Sequence, residues 1–268
     1  MFKYMFITNS PEVGRAVEQA GVNIIFVDLE INGKFARQGH LNTVISRHNI
    51  DDVANVKAAL ASAELLVRLN PLHEGTQKEV DEAIEAGADI IMQPMFYTVD
   101  EVLEFGRCIA GRVRFMPLVE TASALKEIYS IAALNCVDEL HIGLNDLHLD
   151  LGLRFMFEPV ASGLIEQSLQ KVEKPCGFGG IARVGQGDVP GELVMAEHVR
   201  LGSSGVILSR AFHAGAHSVE ELNDEFSFQD ELERLRNERK ALIELDADAL
   251  IKKHLEFQSG VEKVVGRL

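Results

Sequence analysis

Arg68, Pro94, Glu120 and Asp146 each stand at the end of a short apolar run, and they are spaced 26 residues apart (94 − 68, 120 − 94, 146 − 120). A period that holds for three steps without sequence identity marks a structural repeat. Twenty-six residues is about the length that one strand, one helix and two short turns consume. Eight apolar, β-branched runs recur along the chain: KYMFIT, VNIIFVDLE, ELLVRLN, ADIIMQP, VRFMPLVE, VDELHIGL, PCGFGGIA and SGVILSR. Their apolar residues fall on both faces, as in parallel strands covered by helices. Between them lie stretches such as PEVGRAVEQAG, NIDDVANVKAALA, GTQKEVDEAIEAG and TVDEVLEFGRCIAG, with apolar spacing of three and four and terminal glycines.

Eight βα units predict an α/β fold, a closed (β/α)₈ TIM barrel over residues 1–216, followed by C-terminal helices over 217–268. A doubly wound open sheet is the competing arrangement. It usually opens with a Gly-rich turn after its first strand, and TNSPEVG is a poor one. Past the barrel, Val219, Leu222, Phe226, Leu232, Leu235 and Leu242 recur at roughly helical spacing, and Asp246 or Asp248 can cap a further helix. These helices are expected to close the barrel and to mediate a homo-oligomer, a trimer or hexamer.

Charge narrows the partners. Lys and Arg number 26 against 41 Asp and Glu, a net −15 that opposes a nucleic-acid backbone and an anionic membrane surface. No window approaches eighteen uninterrupted apolar residues and the start lacks a run of signal length, so a cytoplasmic protein is expected. Cys108, Cys136 and Cys176 lie far apart without a CxxC pair, which fits packing rather than a disulfide framework or a zinc ribbon.

In such a barrel the chemistry sits at the C-terminal ends of the strands. The polar residues there are Asp28, Glu30, Arg68, Gln93, Glu120, Asn145 and Asp146. Glu120 and Asp146 come from neighbouring strands, roughly 4.8 Å apart. Two carboxylates so placed repel unless a divalent cation, a shared proton or an arginine lies between them. Two carboxylates with water and substrate oxygens suit Mg²⁺ or Mn²⁺. The alternative is structural, with one acid capping a helix and the other paired with Arg68. The planar fork of Arg68 can bind a carboxylate or oxyanion, or it can form a purely structural ion pair with Asp28 or Glu30.

Residues 177 to 187, GFGGIARVGQG, contain a GxGxxA pattern. The next helix starts only near Pro190, too late to receive a pyrophosphate, so a tight turn beside the pocket is the reading. His213 and His217 are expected in a solvated loop. His141, His148 and Asp150 surround Asp146 and could support it, while His40 and His48 lie in the long connection after the second strand.

LLVRLN, AGADIIMQPM, PLVET and HIGLNDLHLDLG, in that order between about Asp28 and Leu153, resemble the HpcH/HpaI aldolase and citrate lyase beta-chain family, barrels of the phosphoenolpyruvate/pyruvate superfamily. The resemblance implies a divalent cation, Mg²⁺, Mn²⁺ or Co²⁺, on Glu120 and Asp146. It implies that Arg68 contacts the keto oxygen of a pyruvate-like 2-oxo acid, that Asp28 and Glu30 share the catalytic site, and that Gly143 and Asn145 lie beside the substrate. The implied activity is a class II type aldolase acting on a 4-hydroxy-2-oxo acid through a pyruvate enolate; the alternatives are an acyl-CoA lyase or a non-catalytic 2-oxo-acid-binding barrel. Family aldolases read D-x-E-H after strand two, whereas here the run is Asp28, Leu29, Glu30, Ile31, and the acid/base His is missing. The lyase branch reads DLED there, with a following stretch only loosely matched by Lys34, Ala36 and Arg37. Leu144 replaces a Pro, and Leu118 a Gln.

Overall fold

A computed structural model describes residues 2–31, 48–213 and 215–268. Nine parallel strands, β1 (Lys3–Ile7), β2 (Ile24–Asp28), β3 (Glu64–Arg68), β4 (Ile90–Gln93), β5 (Arg114–Val119), β6 (Leu140–Ile142), β7 (Cys176–Phe178), β8 (Gly180–Ile181) and β9 (Gly205–Leu208), follow the order β7-β6-β5-β4-β3-β2-β1-β9-β8. The sheet curls into a nearly closed barrel, and the open doubly wound alternative falls away. The seventh apolar run supplies two strands instead of one. Gly179 takes a left-handed φ of 52°, which breaks the run so that β7 pairs with β6 while β8 pairs with β9. One stretch of chain thereby joins both ends of the sheet. The Ser204 N–H donates to the Cys176 carbonyl at 2.9 Å across the seam. A Cβ on Gly177 would lie 2.6 Å from the Gly205 carbonyl oxygen, so this approach requires glycine.

The 26-residue period has a geometric origin. Hydrogen-bonded partners on successive strands are only 24 residues apart, Arg68 with Met92 and Met92 with Met116. Strands in a barrel tilt against its axis, so each strand must run further along its own direction to regain the level of the mouth. The excess, 26 − 24, is two residues, which also preserves the inward-facing parity. Asp146 departs from the expectation that it closes a strand. β6 is only three residues long, and the chain turns at Gly143 into a helix that carries Asp146 in its first turn.

Helices α1 (Pro11–Gln19), α2 (Ile50–Ala59), α3 (Thr76–Glu85) and α4 (Val99–Ile109) alternate with the first strands. Ser10 caps α1, and full capping boxes start α2 (Asn49 with Asp52) and α4 (Thr98 with Glu101). Shorter helices follow: α5 (Ala122–Lys126), α6 (Ile128–Ala132), α7 (Leu144–Asp150), α8 (Glu158–Ala161), α9 (Leu164–Leu169), then α10 (Gly191–Arg200), α11 (Arg210–His213) and α12 (Val219–Leu222). Met5, Ile24, Phe26, Leu66, Ile90, Met92, Met116 and Leu118 point inward and fill the barrel, while their chain neighbours face the helices. Lys3, Arg114, Glu64 and Glu139 form an ion-pair network at the N-terminal end, with Lys3 to Glu139 at 2.8 Å and Arg114 to Glu139 at 3.1 Å.

Two long C-terminal helices, α13 (Phe228–Ile243) and α14 (Ala247–Val265), complete the chain, and Asp246 caps the second. Phe228 packs edge-on against Phe6 and Phe212, both at 5.6 Å, and Arg236 donates to the Ala20 and Gly21 carbonyls just past α1. Phe257 packs on Phe157 at 5.8 Å, and His254 reaches buried Glu197 at 3.0 Å. His213 is buried rather than in a solvated loop. It belongs to α11 and packs its ring on Phe6 at 4.8 Å, because the chain after β9 turns inward over the first strand. His217 is exposed, as expected. Among the described residues no helix is long and apolar enough to cross a membrane.

Candidate active site

Strand alternation decides which of the polar strand-end residues enter the mouth. Phe26 and Leu66 face inward, so Asp28 and Arg68, two residues on, do too, as does Glu120 two residues past Leu118. Gln93 has the opposite parity, following inward Met92, and does not join them. Its Nε2 lies 3.5 Å from the Glu101 carbonyl of α4, and its buried Oε1 has no hydrogen-bond partner.

Asp28 and Arg68 are register partners on adjacent strands. Their side chains form a bidentate pair, Arg68 Nε donating to Asp28 Oδ1 at 2.8 Å and Nη2 to Oδ2 at 2.7 Å. Nη2 also lies 3.5 Å from Glu30 Oε2. Burial works against the charged guanidinium, but Asp28, Glu30 and Glu120 outweigh it and hold Arg68 protonated. The structural pairing weighed from sequence is therefore present, and it orients the guanidinium; Nη1 makes no hydrogen bond among the described residues.

Glu120 is almost wholly buried, and one carboxylate oxygen accepts the Met95 N–H at 2.9 Å. Met95 adopts a left-handed φ of 43°, a strained conformation for a side-chain-bearing residue, and this turn delivers its N–H to the acid. Nothing in the sequence signals Met95. Gly143 matters for a similar reason: a Cβ there would stand 2.8 Å from Glu120 Oε2 and 3.0 Å from its Cβ. Burial pushes the Glu120 carboxyl up to about 8; Arg68 opposes the rise, and Asp146 and Glu30 add to it.

Four acids, Asp28, Glu30, Glu120 and Asp146, thus share the mouth with one arginine, leaving a formal −3 if all are ionised. This excess suits a divalent cation. Among the described residues no group of three or more His, Cys, Asp or Glu could hold a metal by itself. A cation held by Glu120 and Asp146 would therefore need water or substrate oxygens as its other ligands.

The surrounding residues divide clearly. His48 enters the site region through its Nδ1, which accepts the Asp28 N–H at 3.0 Å. Asn70 accepts the Ile31 N–H at 2.9 Å and donates to Glu79 at 2.8 Å, tying the segment after β2 to α3. Asn70 was legible only as part of the RLN run. Asn145 is exposed on the first turn of α7. His141 is buried in the barrel interior, 3.3 Å from the Gly179 carbonyl, His148 bonds the Leu144 carbonyl, and Asp150 accepts the Ala122 N–H. These bonds secure the local backbone instead of supporting Asp146. The turn through Gly179 has no helix at its end; α10 starts twelve residues later, at Gly191. His40, Lys34, Ala36 and Arg37 lie outside the described residues.

A family model described as HpcH/HpaI aldolase/citrate lyase matches residues 5–159, which is more than half of the chain and spans β1 through α8. This chain belongs to the HpcH/HpaI aldolase/citrate lyase family. Family membership supports a lyase-type activity, and the family is generally dependent on a divalent metal. No curated protein matches the chain significantly. Among solved structures, an HpcH/HpaI aldolase/citrate lyase family protein from Burkholderia cenocepacia J2315 is 21% identical over 77% of this chain and 87% of its own, with a TM-score of 0.58. An HpcH/HpaI aldolase from Desulfitobacterium hafniense DCB-2 is 16% identical over 92% of this chain and 94% of its own, with a TM-score of 0.59. The citrate synthase SbnG is 14% identical over 78% and 85%, with a TM-score of 0.57. At such identities these structures show a shared fold.

Proposed function

We propose that this family member is a divalent-metal-dependent carbon–carbon lyase, a class II type aldolase that cleaves or forms a 4-hydroxy-2-oxo acid through the enolate of pyruvate. The observation that carries the reading is the clamped guanidinium: Arg68, gripped by Asp28 and flanked by Glu30, sits at the same mouth as Glu120. A cation held by Glu120 and Asp146 would supply Lewis-acid polarisation of a 2-oxo acid. The bidentate bond from Asp28 fixes the plane of Arg68, so that its remaining N–H groups meet the developing negative charge on the enolate oxygen without reorganising. Gly143 leaves room for Glu120, and the Met95 N–H sets its rotamer.

With isoleucine at position 31, the family's histidine is absent from the Asp28–Glu30 run, and we assign proton transfer to His48. Its Nδ1 is taken as an acceptor by the Asp28 N–H, which leaves the neutral ring's proton on Nε2. Exposed Ile251 and Leu255 on α14 support assembly of several 1–216 barrels into a homo-oligomer through their 217–268 helices.

The test is exchange of the pyruvate methyl protons for deuterium in D₂O with Mg²⁺, Mn²⁺ or Co²⁺, which needs no second substrate. Metal-dependent exchange that His48→Gln slows by about tenfold or more is the expected result. Absence of exchange with every metal would overturn the aldolase reading, and normal exchange in folded His48→Gln would remove His48 from it.

A further inference from the structure

The chain is strongly acidic overall, yet one cleft gathers Arg236, Arg239 and Lys240, none of which pairs with an acid among the described residues; Lys3, also in its wall, is held by Glu139. At the N-terminal face of the barrel, opposite the mouth, a cavity of about 620 Å³ is lined by Phe2, Tyr4, Ser204, Arg236, Arg239 and Lys240. Positions 236, 239 and 240 are spaced i, i+3, i+4 and so share one face of α13. Arg236 is engaged by the Ala20 and Gly21 carbonyls and lies 5.5 Å over the Tyr4 ring. Arg239 makes neither hydrogen bond nor ion pair among the described residues. Its guanidinium lies 4.6 Å over the Phe2 ring, with Nε buried and unsatisfied. Lys240 reaches only the neutral Asn237 at 3.4 Å.

The buried Nε is closed to a ligand, so a bound anion would be met by the terminal nitrogens of the guanidinium, which no acid holds among the described residues. Glu139, an acid at this end of the barrel, is already shared by Lys3 and Arg114. The cavity lies within the size range of small-molecule sites. A guanidinium fork beside an ammonium and a serine hydroxyl matches the tetrahedral oxygens of a phosphate better than a single carboxylate, because phosphate offers several acceptors and more than one negative charge.

We propose that this cleft is a second ligand site, one that binds a small phosphorylated metabolite through Arg239 and Lys240, with the Ser204 hydroxyl as a further donor. Its position at the barrel base, beside the Lys3–Glu139–Arg114–Glu64 network, separates it from the catalytic mouth. It is independent of the aldolase reading.

Pyrophosphate serves as the probe, titrated calorimetrically into the full chain in chelator, with a chloride control at matched ionic strength. The expected result is saturable binding in the unaltered chain. Arg239→Gln should raise the dissociation constant on the order of tenfold or more, and Lys240→Gln, at an exposed position tolerant of change, by a smaller factor in the same direction. Arg68→Lys should leave it unchanged, which separates this site from the mouth. Binding absent beyond the chloride control, equal affinity in folded Arg239→Gln and Lys240→Gln variants, or loss of binding in Arg68→Lys instead would each overturn the proposal.

Discussion

Replacing Glu120 by Gln should make the metal-free protein more stable, and more so the higher the pH. Glu120 titrates at about 8 in the fold against 4.5 for the free side chain. The folded state therefore holds the proton more tightly than the unfolded chain does. Its contribution to stability is fully present below pH 4.5 and is lost as pH rises through 8. At pH 7 the loss is (7 − 4.5) × 1.36, or about 3 kcal/mol, and it levels off at about 5 kcal/mol above pH 8. Gln keeps the shape and an oxygen to accept the Met95 N–H, but it has no proton to lose. In the presence of chelator, melting temperatures of the two proteins should converge near pH 4.5 and separate by roughly 5–10 °C at pH 7, with the variant higher. The variant should at the same time lose pyruvate exchange, since its stabilised mouth no longer offers an anionic ligand. A variant less stable than the parent at pH 8, or a difference that does not change with pH, would refute the idea that Glu120 is a buried, charge-crowded acid.

Arg68→Lys keeps the charge and loses the fork to Asp28; pyruvate exchange should slow by roughly 10² while calorimetric metal affinity barely moves. Gly143→Ala drives a Cβ against Glu120, and a displacement of several tenths of an ångström should slow exchange by about tenfold with unchanged circular dichroism. Burial lowers the His141 and His213 imidazoles to about 4. Because their folded values are depressed, their stabilising contribution is present above pH 6.5 and is lost as pH falls through 4, and His141→Gln should flatten that limb of the acid-unfolding curve. Asp146→Asn should weaken metal binding on the order of tenfold without lowering the melting temperature appreciably. Deleting α14 removes buried Phe257, Val261 and Val264 from their seats, and light scattering should show smaller or aggregating particles.

The barrel was legible because its cause is local and repeated. Each strand must be apolar on both faces, each helix needs its apolar stripe and its cap, and Asp246 caps where the sequence reading places it. The site was legible in the same way for Asp28, Arg68 and Glu120, since strand-end position and inward parity follow from counting residues. Counting failed where the chain leaves regular geometry. The seventh strand divides at Gly179, Asp146 rides on a helix instead of a strand end, and His213 is buried rather than solvated. None of these is set by a residue's own neighbours in sequence. The tilt that turns a 24-residue ladder into a 26-residue period, the Met95 N–H that meets Glu120, and the guanidinium that Asp28 grips across strands all depend on segments 25 to 40 residues apart being brought to hydrogen-bonding distance. Composition and periodicity determine which elements form and which face they bury; the burial that shifts Glu120 and leaves Arg239 unsatisfied exists only once those elements close on one another and exclude water.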